Sequence, residues 1–123
     1  MKFFTLRKFF NSLKCAVRGL KSVYKTEQNF RFQILIAIVI IFFTIYFGVT
    51  KKEAVLVILM ITFVLVMELI NSVFEKIADM LQPRVHIYAK LIKDIMSGAV
   101  LLSSIVSIII GLIIFWPYFQ KFF

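Results

Sequence analysis

Apolar residues in this chain come in three long runs, at positions 34–49, 54–67 and 95–119. The third holds 25 residues without a charge, more than the roughly 20 that a helix needs to cross a bilayer. The first is 16 residues long and needs Phe30 and Phe32 to reach across. The second offers 14 uncharged residues before Glu68 and spans only if its helix runs on through polar positions. None alternates with the period of two expected of a membrane barrel strand. The pattern predicts an all-α membrane protein with transmembrane helices over about 31–49, 54–81 and 94–119. Ahead of them, residues 2–26 read as one amphipathic helix. Arg7, Lys14, Arg18, Lys21 and Lys25 fall within about 60° of one another at helical spacing, beside an arc of Leu6, Leu13, Val17, Leu20 and Tyr24. Such a helix is expected along the membrane surface. Gly48 and residues 50–53 are expected to turn the chain, and Pro83 to end the second helix, leaving His86 and Tyr88 in a short link. With no linker or repeat, residues 1–123 form a single domain.

The second run is followed by polar residues that a lipid environment should exclude. Glu68, Asn71, Ser72, Glu75 and Asp79 continue the same helix, at offsets of three, four, seven and eleven from Glu68. At 100° per residue they share about 100° of arc, so they form one stripe. Carboxylates inside or at the edge of a bilayer are costly, and by default they mark a site. The third run carries Ser97, Ser104 and Gly111 at seven-residue intervals, with Ser107 near the same face. That spacing suits close helix packing. Lys90, Lys93 and Asp94 extend this face, so the charged ends of the second and third spans can meet.

Charge sets the expected orientation. Eight of fifteen Lys and Arg precede or open the first span, and Lys76, Arg84, Lys90 and Lys93 flank the second connection. Lys51, Lys52 and Lys121 are left for the other side. By the positive-inside rule the N-terminus and second connection are cytoplasmic, and the C-terminus is outside. The net charge of +9 is then explained by anionic headgroups, with no nucleic acid partner. Mean hydropathy of +0.98 agrees with the membrane as solvent. The lone Cys15 cannot form an internal disulfide, and a cleaved signal peptide is not expected. Trp116 and Tyr118 read as aromatic-belt anchors at the outer interface.

Counted from Asp79 along a straight helix, Glu75 lies about 6 Å and Glu68 about 16 Å deeper. Glu27 stands near the start of the first span on the same side. Two carboxylates plus phosphate oxygens commonly hold Mg²⁺. A nearby lysine suits polyphosphate, and a deeper carboxylate could take a proton from a lipid hydroxyl. No Gly-rich nucleotide loop occurs, and one His with one Cys offers no zinc site. From the residues alone, phosphoryl transfer from ATP to a lipid alcohol competes evenly with a small proton-coupled transporter, because intramembrane Glu also serves proton relays.

The segment Glu68-Leu-Ile-Asn71-Ser72-Val-Phe-Glu75-Lys-Ile-Ala-Asp79, with His86, Lys90, Lys93-Asp94 and Gly98-Ala99-Val100 after it, resembles the prokaryotic diacylglycerol kinase family. The resemblance covers nearly the whole chain, including Glu27 and Phe30-Arg31. It implies a bacterial inner-membrane lipid kinase, a homotrimer of three-span subunits with active sites shared between neighbours. Carried over, it implies that Glu27 and Glu75 hold a Mg²⁺ ion that bridges the ATP phosphates. Nucleotide binding would fall to Lys93 and Asp94, with Lys8, Asp79, Arg84, Val85 and His86 around them. Glu68 would be the general base, Asn71 would orient the neighbouring group, and Ser97 and Arg31 would meet the lipid with Glu68. The chain departs from the family pattern at Cys15, where some members place a tyrosine, and at Phe74, where a smaller aliphatic residue is usual.

The family's branches use different lipids. Glu27-Gln28-Asn29-Phe30-Arg31-Phe32-Gln33 is nearer the undecaprenol branch, although Gln33 replaces a histidine, and Pro83 leans the same way. The resemblance therefore implies production of undecaprenyl phosphate, with diacylglycerol as the alternative acceptor.

Overall fold

A one-residue joint, one tight turn and one short connection divide the described residues into four helices. The computed structural model describes residues 5–123 as α1 (Leu6–Thr26), α2 (Gln28–Phe47), α3 (Lys51–Leu81) and α4 (His86–Phe122). Residues 2–4 of the expected surface helix lie outside the described residues. Helices α2, α3 and α4 are each long and apolar enough to cross a membrane.

Thr5 opens α1 by accepting the Lys8 N–H on its Oγ1 at 3.3 Å, as an N-cap threonine does. No residue of α1 is buried. Its main contact is with α2, so it stands off the three-helix body as a surface helix would. Glu27 is at once the C-cap of α1 and the N-cap of α2. The first long helix therefore begins at Gln28, ahead of the expected position 31, because Arg31 N–H already makes the helical bond to Glu27 O and Phe30 is already buried.

Gly48 ends α2 in the left-handed conformation at φ 62°, with its N–H directed to the carbonyls of Ile45 and Thr44. A residue without Cβ takes this geometry at little cost. Thr50 and Glu53 then form a reciprocal capping box. It starts α3 at Lys51, three residues before the apolar run. The turn is therefore 48–50, shorter than sequence suggests. The second connection is also short. Val85 N–H bonds Leu81 O at 3.1 Å and Ala89 N–H bonds Val85 O at 2.9 Å, so His86 and Tyr88 belong to α4 and not to the link.

Packing divides the bundle lengthwise. At the end remote from α1, Phe47, Val57, Ile114 and Phe115 form a buried core. The Phe47 ring lies 5.1 Å from Phe119, 5.4 Å from Phe122 and 5.7 Å from Tyr118, centroid to centroid. Tyr118 does more than sit at an interface: its hydroxyl donates to Glu53 Oε1 at 2.6 Å, tying α4 to the first turn of α3. Glu53 precedes the apolar stretch, and the Tyr118 hydroxyl, helped by Thr50, holds its carboxyl below the usual carboxylate range.

On α4 the inward face runs through Ala89, Ser103 and Ile114, all buried. The Ser97, Ser104 and Gly111 stripe lies about 100° round the helix from it, on the side of buried Phe115; Ser104 and Gly111 are partly buried and Ser97 is exposed. The outward surfaces of α2–α4 are Ile, Leu, Val and Phe, which a soluble protein would bury.

Candidate functional site

Glu68, Asn71 and Ser72 lie on the interior face of α3, the same face that carries Val57 three turns earlier. Glu68 and Ser72 are each only 1% exposed. Exposure then rises along the stripe. Glu75 is half-buried and Asp79 is open. The inner face of α3 is thus apolar at one end, polar and dry at mid-length, and polar and wet near α1.

Five buried oxygens in this region have no hydrogen-bond partner among the described residues: Gln33 Oε1, both carboxylate oxygens of Glu68, Asn71 Oδ1 and Ser72 Oγ. Leaving a buried polar atom unpaired costs about 1–3 kcal/mol, and more if it is charged. Gln33 faces Glu68 from α2, close enough to act on the carboxylate yet short of good hydrogen-bond geometry. Glu27 and Glu75 also act on Glu68 through their charge. Three carboxylates from two elements are therefore brought into one electrostatic neighbourhood. Asn71 Nδ2 reaches Glu75 Oε1 at 3.5 Å, the outer limit of a hydrogen bond.

At the open end, Lys93 Nζ lies 2.6 Å from Asp79 Oδ1, and Lys93 also feels the charge of Glu75. The expected meeting of the charged ends of α3 and α4 is observed. Asp94 and Ser97 are exposed on α4, and Arg84 and Val85 occupy the connection with His86 opening α4. Lys8 lies in the first turn of α1, where no hydrogen bond or ion pair joins it to α3 among the described residues. Arg31 directs its guanidinium backwards: Nη1 donates to Tyr24 O at 2.8 Å and Lys25 O at 2.9 Å.

Among the described residues, no three His, Cys, Asp or Glu side chains converge as a self-sufficient metal cage. Glu27 and Glu75, which both act on Glu68, would offer two hard oxygen donors, the kind that suits Mg²⁺ when phosphates and water complete its shell. Glu27 makes no side-chain cap bond to α2, so its carboxylate is not spent there. The donor set fits a cation held jointly with a phosphate ligand.

Gln33 had no place among the expected site residues. A glutamine at the edge of an apolar run reads as an interfacial residue, and only the packing of α2 on α3 turns it toward Glu68.

Comparison with known proteins gives the class. The chain matches the prokaryotic diacylglycerol kinases over residues 14–115. It is 33% identical over 112 residues to the undecaprenol kinase of Bacillus subtilis (strain 168), covering 91% of each chain. It is 36% identical over 107 residues to the diacylglycerol kinase of Haemophilus influenzae, covering 86% of this chain and 91% of that one. The diacylglycerol kinase of Escherichia coli (strain K12) is 28% identical over 102 residues, covering 83% of this chain and 84% of that one. This is a membrane enzyme of the lipid-kinase class. More particularly, the chain belongs to the prokaryotic diacylglycerol kinase family.

Proposed function

We propose that the protein transfers the γ-phosphoryl group of ATP to the hydroxyl of a membrane lipid, with undecaprenol as the favoured acceptor. The observation that carries this reading is the buried, unpartnered Glu68 carboxylate, with Glu27 and Glu75 acting on it and Lys93 at the open end. Glu68 takes the proton of the lipid hydroxyl. The hydroxyl oxygen bonds to the γ-phosphorus, the bond from that phosphorus to the β–γ bridging oxygen breaks, and ADP leaves. The proton returns from Glu68 to water. Asn71 orients Glu75, to which its amide already points.

Glu27 and Glu75 would hold Mg²⁺, which supplies charge neutralisation on the phosphates when bound. Lys93, paired with Asp79 until nucleotide arrives, would serve the polyphosphate, with Asp94, Arg84, Val85, His86 and Lys8 around it. Asp94 and Ser97 are exposed within one protomer, which accords with a homotrimer whose neighbouring subunits complete each site. The nucleotide end, with α1, would face the cytoplasm of a bacterial inner membrane, and the C-terminus would lie outside. The basic residues on α1 and around the second connection support that orientation.

Diacylglycerol is the second reading, and the 36% identity to a diacylglycerol kinase favours it. The sequence Glu27–Gln33 and the extent of the match to an undecaprenol kinase favour undecaprenol. Purified protein assayed side by side with both lipids, ATP and Mg²⁺ tests the reading. Faster turnover of undecaprenol at equal surface concentration supports it, preference for diacylglycerol replaces it, and no transfer to either overturns the kinase assignment.

A further inference from the structure

Helix ends leave their last carbonyls without partners in their own helix. At the end of α1 the last helical bond is Glu27 N–H to Val23 O, at 2.8 Å. Beyond it, the Arg31 side chain engages two more carbonyls, while its backbone makes the ordinary first bond of α2. Arg31 Nη1 donates to Tyr24 O at 2.8 Å and to Lys25 O at 2.9 Å, and the Arg31 backbone N–H donates to Glu27 O at 3.3 Å. A guanidinium at the negative end of a helix makes charge-assisted bonds and meets a favourable dipole.

The clamp closes over a joint only one residue long. Glu27, at φ −108° and ψ 110°, is extended between two helices, and two dihedral angles there set the angle between α1 and α2. Little else sets it, because α1 buries none of its residues. The residue at the joint also carries one of the carboxylates that act on Glu68.

We propose that Arg31 is a positioning residue: by clamping the end of α1 to the first turn of α2 it fixes the joint at Glu27, and so aims the Glu27 carboxylate at the divalent-cation site shared with Glu75. The proposal rests on the reading of Glu27 as a metal ligand. It gives Arg31 a task distinct from contact with the lipid, and the two tasks alter different constants.

The test compares Arg31→Gln, Arg31→Lys and Glu27→Gln in the full-length protein, reconstituted in liposomes. Two readouts are taken: Mn²⁺ binding by electron paramagnetic resonance with a non-hydrolysable ATP analogue, and KM for Mg²⁺ and for lipid. Arg31→Gln is expected to weaken Mn²⁺ binding by about 10–100-fold, the range for losing a group that orients a metal ligand. KM for Mg²⁺ should rise in parallel while KM for lipid stays unchanged. Arg31→Lys keeps the charge but ends one bond short of the Nη1 that makes both carbonyl contacts, and should fall between Arg31→Gln and the native protein. Native Mn²⁺ affinity in Arg31→Gln, with loss in Glu27→Gln, overturns the clamp and leaves the ligand reading standing. A rise in lipid KM alone assigns Arg31 to the lipid instead. Unchanged Mn²⁺ affinity in Glu27→Gln overturns the ligand reading and the clamp with it. If Arg31→Gln does not fold, native Mn²⁺ affinity in Arg31→Lys overturns the proposal.

Discussion

Lys93 Nζ and Asp79 Oδ1 stand 2.6 Å apart and join α4 to α3 at the open end of the polar stripe. Both side chains are well exposed, at 37% and 63%, and exposed ion pairs add little stability. On the proposed reading Lys93 serves the nucleotide. Lys93→Ala should barely move the thermal midpoint, yet raise KM for ATP by roughly tenfold or more, as expected when a charge-assisted phosphate contact is lost. The double reversal Asp79→Lys with Lys93→Asp should restore the pair without restoring turnover. Steady-state kinetics with a melting curve on each variant separates the two effects, and full activity in the double reversal would remove Lys93 from the nucleotide site.

Glu68→Gln keeps the shape of the side chain and removes its charge. Loss of a general base lowers kcat by about 10²–10⁴-fold. The same change relieves a buried, unpaired carboxylate, so the thermal midpoint should hold or rise. Coupled measurement of ADP release and differential scanning fluorimetry would report both. An active Glu68→Gln sinks the base assignment.

At the remote end, Phe47 is 6% exposed and central to an aromatic cluster. Phe47→Ala should cost about 3–5 kcal/mol through lost packing, and Phe47→Leu noticeably less. Because this core lies far along the bundle from Glu75 and Lys93, kcat at a permissive temperature should change little. Equilibrium unfolding in mixed micelles beside a kinetic assay checks both halves of the expectation.

The Glu53 carboxyl, held low by the Tyr118 hydroxyl, gives a pH dependence with a definite sign. A depressed folded-state pKa stabilises fully above the unfolded value and is lost as pH falls through the folded one. The native protein should therefore lose stability on acidification below the ordinary value of 4.5. Tyr118→Phe should be less stable at neutral pH and show a shallower acid limb. Thermal midpoints between about pH 3 and pH 7 test this, and parallel curves for the two proteins would rule it out.

How much of this was legible beforehand differs from element to element. The spans could be read because the lipid-facing surfaces demand uninterrupted apolar sequence. The stripe from Glu68 to Asp79 could be read because five polar residues share one helical arc. Phase was harder. Residues 95–119 are apolar nearly all round, so nothing in the pattern says which side of α4 is inward. The seven-residue spacing marks Ser97, Ser104 and Gly111, of which Ser104 and Gly111 are partly buried on the side of Phe115, but it does not show the neighbouring arc of Ala89, Ser103 and Ile114 that packing also buries. Gln33 and the backward reach of Arg31 were hidden for a related reason, since each depends on how two helices meet at Glu27.

The graded exposure along the inner face of α3 bears on how a turnover ends. A lipid alcohol is neutral and can descend to the depth of Glu68 at small cost. The phosphate monoester made from it carries between one and two negative charges, and its seat would be beside buried carboxylates. A low-dielectric surrounding that admits the acceptor thus rejects its phosphorylated form. For a reaction of the proposed kind, the slope from dry to wet would eject product toward the headgroups without any moving part, so that a second acceptor finds the depth vacant.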